Sequence, residues 1–495
     1  MSVSSQRDRR LRQVPGAVWL AAGLFVVAVV IFAAWVWRPA FWVDEYLTQS
    51  AISQPWPDLI QRIVTIDPGP GPYYLAMKVW SAVSAAPGWM RLPSVFAAAG
   101  AVVLFAVLVR RLTDTRTAGF AAAVLMIMPN VSRFAQENRP YAFALLFSVL
   151  AVTLWHISLS TNESGGVRSR RWSIGFGLAV AGMGLAHLYT LTLLPALAVA
   201  AWAGPAADRR RRLLRTIIPA GVGVLAITPH IGLNLAHPTG SPNDPPLAVG
   251  SLVFVVGEMM PSEMTAALGV LALVGFVAAI RDPRLRPALT LAVVWVVVPT
   301  VLLLAGKVTV DLPVIRVRYV LFLMPGVALL VALGLRHLAR LSTALPVILV
   351  GALALVGLPQ QIDIRQIDGH HTDEALAPLL RSVRALDIPV VTANSQAVRL
   401  VNAATYPDAL LHTGPRLRSA PYVAVVERTA YADNVKANFA YYQVRRWRPV
   451  VYCPLPQSVV LIVESTRLPD RPAAAADLAD RLGQGTDGRV PCSVV

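Results

Sequence analysis

About eleven long apolar runs, separated by short loops in which arginines cluster, constrain this chain more than any other feature. A helix needs roughly 20 mostly apolar residues to cross a hydrocarbon core, and the first run, Val14 to Trp37, is long enough. Hydrophobic residues make up 56% of the 495 positions and charged residues only 14%, against about 25% charged in soluble domains. The fold class expected is therefore a polytopic α-helical membrane protein embedded in a lipid bilayer. The formal net charge of +17 does not point to nucleic acid, because the basic residues lie scattered between apolar runs and form no single patch. They are nearly all arginine, since Lys78, Lys307 and Lys436 are the only lysines.

The arginines set an orientation. Residues 1–13 carry Arg7, Arg9, Arg10 and Arg12 and are placed in the cytoplasm. The run that follows is too long for a signal peptide and has no small-residue cleavage site, so it is expected to remain as a first helix. Alternating sides from there, runs ending at Arg110-Arg111, Arg168 to Arg171, Arg209 to Arg215, Arg281 to Arg286 and Arg336 to Arg340 all end inside, as the positive-inside rule requires. About eleven spans result within residues 14–359, with the C-terminus outside and the cell membrane as the expected location.

Two stretches depart from that pattern. Residues 54–88, inside the first outer loop 38–91, are broken by Pro55, Pro57, Pro68, Pro70, Pro72 and Pro87, and their short helical pieces are expected to lie in the interface. Residues 247–260 read similarly, as an interfacial or re-entrant helix. After about residue 360 charge and proline rise and no run can span. Residues 360–495 are expected to form an extracytoplasmic soluble α/β domain, with a helix over 373–386 and strands at 389–392 and 459–463. Cys453 and Cys492 are the only cysteines. On the outer side they are expected to pair, with two buried thiols as the alternative.

With this topology the polar residues near apolar runs collect on the outer face. Asp44-Glu45 follows the first span, and Asp67 precedes Tyr73 and Tyr74 in the same loop. Glu137 and Arg139 cap one span, His187 and Tyr189 mark the turn between two others, and Lys307, Asp311, Arg316, Arg318 and Tyr319 precede a descending helix. Taken singly, each has a plain structural reading as a cap, an ion pair or an interfacial anchor. Ionisable residues at membrane depth are nonetheless costly, and five such groups on one face point to a site. A carboxylate there can serve as general base, and guanidinium or imidazole groups can hold a phosphate. No Walker loop, dinucleotide fingerprint or cysteine–histidine metal motif is present.

These residues resemble the GT-C superfamily of integral-membrane glycosyltransferases that use polyprenyl-phosphate sugars. The resemblance rests on Asp44-Glu45, on Pro72-Tyr73-Tyr74, on Arg91-Leu92-Pro93-Ser94, on Phe134 to Tyr141 and on Arg318 to Pro325, over roughly residues 19–325. It implies an inverting transfer with Asp44 as base and Glu45 as its companion. Arg318 would hold the donor phosphate with Arg139, His187 or Arg316, and Asp67 stands as a second carboxylate candidate, since relatives often have His or Lys before the Pro-Tyr-Tyr element. Tyr73, Tyr74, Tyr189, Glu137 and Lys307 complete the candidate substrate contacts.

Several members of that superfamily need a divalent cation, so the resemblance leaves magnesium or manganese at the carboxylates open. The function it implies is transfer of a sugar, mannose or arabinofuranose, from a polyprenyl-phosphate donor to a cell-envelope glycan, glycolipid or protein on the outer face. Competing readings are a lipid-linked sugar transporter or flippase and an inactive assembly protein on the same fold. The sequence leaves the sugar, the acceptor and the oligomeric state open.

Overall fold

The computed structural model describes residues 3–39, 41–160, 167–237, 246–366, 376–392, 421–427, 447–455, 458–465, 472–486 and 490–495. By contact the chain divides into two compact units. One comprises Met1–Ala34, Ile52–Ser84 and Met90–Ile362, and the other Trp35–Ala51, Ala85–Trp89 and Asp363–Val495.

Residues up to Ile362 are mostly helical, and all of them except 35–51 and 85–89 belong to the first unit. After α1 (Val3–Ala33) and α2 (Val43–Ile52), short helices α3 (Trp56–Thr65) and α4 (Gly71–Trp80) fill the proline-broken stretch. Then come α5 (Pro87–Leu112), α6 (Thr115–Ile127), α7 (Pro129–Ala135), α8 (Tyr141–Ser160), α9 (Val167–Ala186), α10 (Leu193–Trp202), α11 (Arg209–Ala226) and α12 (Thr228–Ala236). The series ends with α13 (Val249–Met259), α14 (Ser262–Arg281), α15 (Arg286–Val310), α16 (Met324–Leu338) and α17 (Leu345–Asp363). Each of the eleven apolar runs thus holds a helix. Among the described residues six helices are long and apolar enough to cross a membrane, or up to eight if the bent pairs α6–α7 and α11–α12 each count as one span.

Local chemistry explains the breaks. Helix α6 begins at Asp114, whose side chain accepts the Thr117 N–H at 2.9 Å, and it stops before Pro129, where the chain bends by 67°. Proline tolerates the first position of α7 because that N–H is orphaned anyway. Asp114 also pairs with Arg336 of α16, tying the two helices together. Glycines permit the closest helix crossings. A Cβ on Gly275 of α14 would collide with the Leu330 carbonyl of α16, and one on Gly334 of α16 with the Leu271 carbonyl of α14. Small residues at such crossings let backbones touch, which is how helices associate where lipid offers no hydrophobic drive.

In the second unit a five-stranded sheet runs in the order β1-β2-β4-β3-β5, with β1 (Val390–Thr392), β2 (Tyr422–Glu427), β3 (Trp447–Pro454), β4 (Val459–Ser465) and β5 (Ser493–Val494). Among the described residues only β1–β2 is parallel. The period-2 alternation of strands sends Ala424, Val426, Val460 and Ile462 to one core with Leu379, Leu380 and Val383 of α18 (Leu376–Ala385) and Leu482 of α19 (Pro472–Gln484). Val423, Val425, Leu461 and Val463 face the other way. The expected helix over 373–386 is seen from residue 376, and residues 373–375 lie outside the described part.

Cys453 of β3 is bonded to Cys492. Opening that link frees a loop with a sequence separation of 39. The Cys453→Ser/Cys492→Ser variant is therefore expected to lose about 2–4 kcal/mol, read as a lower unfolding midpoint insensitive to reductant.

Candidate active site

The segment from Asp67 to Tyr74 forms one wall. Its prolines cannot continue a helix from α3, and Pro72 sits comfortably at the start of α4. That start places Tyr73 and Tyr74 in the first turn, where both are buried. The Tyr73 hydroxyl donates to Asn138 Oδ1 at 2.9 Å, and the Tyr74 hydroxyl to Asp67 Oδ2 at 2.6 Å. Burial first, and then the charge of Asp67, push the Tyr74 hydroxyl well above its usual range, with Arg139 opposing. Tyr74 is thus a fixed donor, and Asp67 is engaged as its acceptor. Tyr74→Phe is expected to cost about 1 kcal/mol of stability, measured by thermal unfolding in nanodiscs.

The turn between α7 and α8 forms the second wall. Glu137 is fully buried and meets Arg133 Nε at 3.4 Å. Gln136 anchors the turn by donating to the carbonyls of Phe32 at 2.7 Å and Ala34 at 2.8 Å. Arg139 follows, its guanidinium 6.0 Å from the Tyr141 ring, and the Ser94 hydroxyl donates to its carbonyl at 3.3 Å.

Rings enclose the third side. His187 lies 5.0 Å from Tyr189, 5.0 Å from Tyr319 and 6.2 Å from Tyr141, centre to centre, and Tyr189 lies 5.4 Å from Tyr319. Arg318 stands 5.2 Å from the Tyr319 ring. The turn carrying Arg318 and Tyr319 is held where Trp295 of α15 donates to the Phe322 carbonyl at 2.9 Å. His187 Nδ1 accepts the Tyr189 N–H at 3.3 Å, so the neutral ring carries its proton on Nε2. Burial, then Arg318, then Arg139 push the imidazole well below its usual range, which leaves it neutral at pH 7.

The sign of the resulting pH dependence follows. An unfolded histidine takes up its proton below about pH 6.5 and the folded one does not, so stability falls as pH falls through that value. His187→Gln should remove about 1 kcal/mol of the stability difference between pH 7.5 and 5.5, read from unfolding midpoints at the two pH values.

Asp44 and Glu45 occupy the first turn of α2, in the other compact unit. Glu45 is fully buried and its Oε2 accepts the Trp42 N–H at 3.4 Å, whereas Asp44 is half-buried. Among the described residues no three His, Cys, Asp or Glu side chains group as a metal site. No step is assigned to a cation.

The geometry gathers Asp67, Tyr73, Tyr74, Arg139, His187, Tyr189 and Arg318. Lys307 instead binds Asp311 one turn on, at 2.7 Å, and Arg316 precedes the turn that carries Arg318. Asn138, Tyr141 and Tyr319 belong with the site neighbourhood through their contacts with Tyr73, His187 and Tyr189.

Two guanidinium groups facing one neutral imidazole inside a box of rings make a positive, partly dehydrated cradle that suits an anion with an apolar or sugar-like neighbour. Residues 69–232 match the family described as dolichyl-phosphate-mannose-protein mannosyltransferase. A comparison with curated protein sequences gives no significant match.

Among solved structures, ArnT from Cupriavidus metallidurans in the apo state is similar over 92% of this chain and 100% of that one, at 12% identity and a TM-score of 0.57. The same protein bound to undecaprenyl phosphate gives 13% identity and a TM-score of 0.53, over 91% and 98% of the two chains. The oligosaccharyltransferase of Archaeoglobus fulgidus in its apo form gives 11% identity and a TM-score of 0.52, over 88% of this chain and 73% of that one. At these identities the likeness is one of fold. The family match covers about a third of the chain, and the fold is similar to these structures over most of its length. That matched third carries the Pro-Tyr-Tyr, Glu137-Asn138-Arg139 and His187 elements of the site.

Proposed function

We propose that the chain transfers a sugar from a polyprenyl-phosphate donor to a cell-envelope acceptor on the outer face of the membrane. The observation that carries this reading is the cradle of Arg139, Arg318 and neutral His187. A sugar 1-phosphate ester of a polyprenol presents an anion between an apolar tail and a sugar face, and the cradle offers a partner for each part. The resemblance in fold to a protein solved with undecaprenyl phosphate supports it.

In the transfer, an acceptor hydroxyl attacks the anomeric carbon, and the bond from that carbon to the phosphate oxygen breaks. Asp44 takes the hydroxyl proton. The electron pair leaves with polyprenyl phosphate, whose growing negative charge Arg318 and Arg139 stabilise, while His187 donates through Nε2–H. Guanidinium groups suit this task because they stay charged and bind phosphate with a planar fork. Attack opposite the leaving group inverts the anomeric centre. Mannose and arabinofuranose are the first donors to try, and the C-terminal unit is assigned to acceptor positioning.

The test uses the purified chain in lipid nanodiscs with a panel of polyprenyl-phosphate sugars and envelope acceptors, following release of polyprenyl phosphate. One donor should support acceptor-dependent release. Arg318→Gln should lower its kcat/KM by about a hundredfold. Absence of release with every donor and acceptor would overturn the reading in favour of a transporter or an inactive assembly protein.

A further inference from the structure

Away from the candidate active site, α10 and α11 enclose an apolar groove of about 430 Å3. Its walls include Leu194 and Ala198 from α10 and Ile217, Gly221 and Leu225 from α11. Its floor is dry in chemical terms. The Thr216 hydroxyl accepts from Trp155 Nε1 at 2.8 Å and donates to the Arg212 carbonyl at 2.9 Å, while Thr228 donates to the Leu225 carbonyl at 2.9 Å. The helix faces around it are exposed: Ile217 by 54% and Leu225 by 69%. In a multi-pass membrane protein such a face meets lipid.

One end of the groove is cationic. Arg212 lies one turn before Thr216, and Arg209 lies three residues before Arg212. Both fold back over the end of α10, where Arg209 Nε donates to the Trp202 carbonyl at 3.0 Å and Arg212 Nε to the Ala201 carbonyl at 3.2 Å. The Arg209 guanidinium also sits 4.4 Å from the Trp202 ring. Arg212 passes so close to Gly204 that a Cβ there would come within 2.5 Å of its Nε. Arg215 adds a third cation, donating to the Ser158 carbonyl at 3.3 Å, and Asp208 is the acidic neighbour of Arg212. A guanidinium has five N–H donors, and each carbonyl bond uses one.

We infer that the α10–α11 groove with Arg209 and Arg212 at its end is a binding site for an anionic diacyl phospholipid of the bilayer, separate from the donor site. The length agrees with the ligand. Thr216 and Leu225 are nine residues apart on α11, about 14 Å at 1.5 Å per residue, which is close to one leaflet of a hydrocarbon core about 30 Å thick. An acyl chain fills the groove while the phosphate meets the arginines at headgroup depth. The charge decides between anionic and zwitterionic lipid, as basic pockets between membrane helices do for anionic headgroups. Gly221 gives the groove its depth: a Cβ built there meets nothing within 4 Å.

The experiment is native mass spectrometry of the full chain released from nanodiscs that contain phosphatidylglycerol and phosphatidylcholine of equal chain length. The expected result is retention of phosphatidylglycerol with a preference on the order of thirtyfold, from about a tenfold or smaller gain per arginine. Gly221→Leu, which fills the groove without a clash, should lose retention of both lipids. Ala198→Leu repeats that test from the opposite wall if the first variant fails to fold. Arg209→Gln/Arg212→Gln should bind both lipids equally. Equal retention of the two lipids by the unaltered chain would overturn the assignment, as would wild-type retention in the groove-filling variants. Displacement by polyprenyl phosphate that Gly221→Leu abolishes would overturn it too, by giving the groove to the donor.

Discussion

Asp44→Asn is expected to lower turnover by about a hundred- to ten-thousandfold, the range that a positioned general base contributes, with expression and donor binding retained. The substitution keeps side-chain volume and an oxygen acceptor at the start of α2, so the helix N-terminus loses little. What it removes is the negative charge that takes up the acceptor proton.

Burial separates the two neighbours. Asp44 keeps solvent access, which a group that must meet an acceptor hydroxyl needs. Glu45 has none and turns back to the Trp42 N–H, which fits a positioning role. The assay is single-turnover release of polyprenyl phosphate in nanodiscs. Full activity in Asp44→Asn would remove Asp44 as the base. Asp67 would be next in line, although its carboxylate already accepts the Tyr74 hydroxyl at 2.6 Å and would have to give that up.

Much of the helical framework was legible because membrane helices declare themselves locally. An apolar run and its flanking arginines carry the assignment without reference to distant residues, and each run from Val14–Trp37 to residues 345–358 holds a helix. The strands at 390–392 and 459–465 were readable for the related reason that continuous β-branched residues mark a buried strand. The breaks were less legible. The run expected to span at 117–129 ends in a 67° bend, and the segment after Pro129 is a separate helix whose direction depends on packing.

The candidate site was legible as a set of residue types and not as a geometry. Spacing marked Arg139, His187 and Arg318, but nothing local says that Tyr141, Tyr189 and Tyr319 close around the imidazole, since those contacts span up to 132 positions, from His187 to Tyr319. Lys307 is a candidate substrate contact by position, and the sequence does not reveal that Asp311, four residues on and in a left-handed conformation at the end of α15, offers it a carboxylate at 2.7 Å. Grouping of residues 35–51 and 85–89 with the C-terminal residues is likewise a product of long-range contact that no pattern in the sequence carries.

Gly275→Leu is expected to destabilise the chain by about 3 kcal/mol or more, at the upper end of overpacking costs. In an ordinary helix the change would stabilise by up to about 1 kcal/mol, because glycine is the poorest non-proline helix former. Here the new Cβ meets the Leu330 carbonyl and comes within 2.7 Å of the Gly334 nitrogen. Those are backbone atoms of α16, which no rotamer change can move aside, so α14 and α16 must separate.

The consequence reaches the site, because α16 begins at Met324 directly after the turns that hold Arg318 and Tyr319. Separation of the helices should therefore lower donor affinity as well as the unfolding midpoint. Gly269→Ala on the same helix is the control, since a Cβ at Gly269 has no atom within 4 Å, and it should be neutral or slightly stabilising. Thermal unfolding of both variants in nanodiscs, beside donor titration, separates the two effects. Similar midpoints for Gly275→Leu and Gly269→Ala would mean that the α14–α16 crossing is looser than its backbone contacts require.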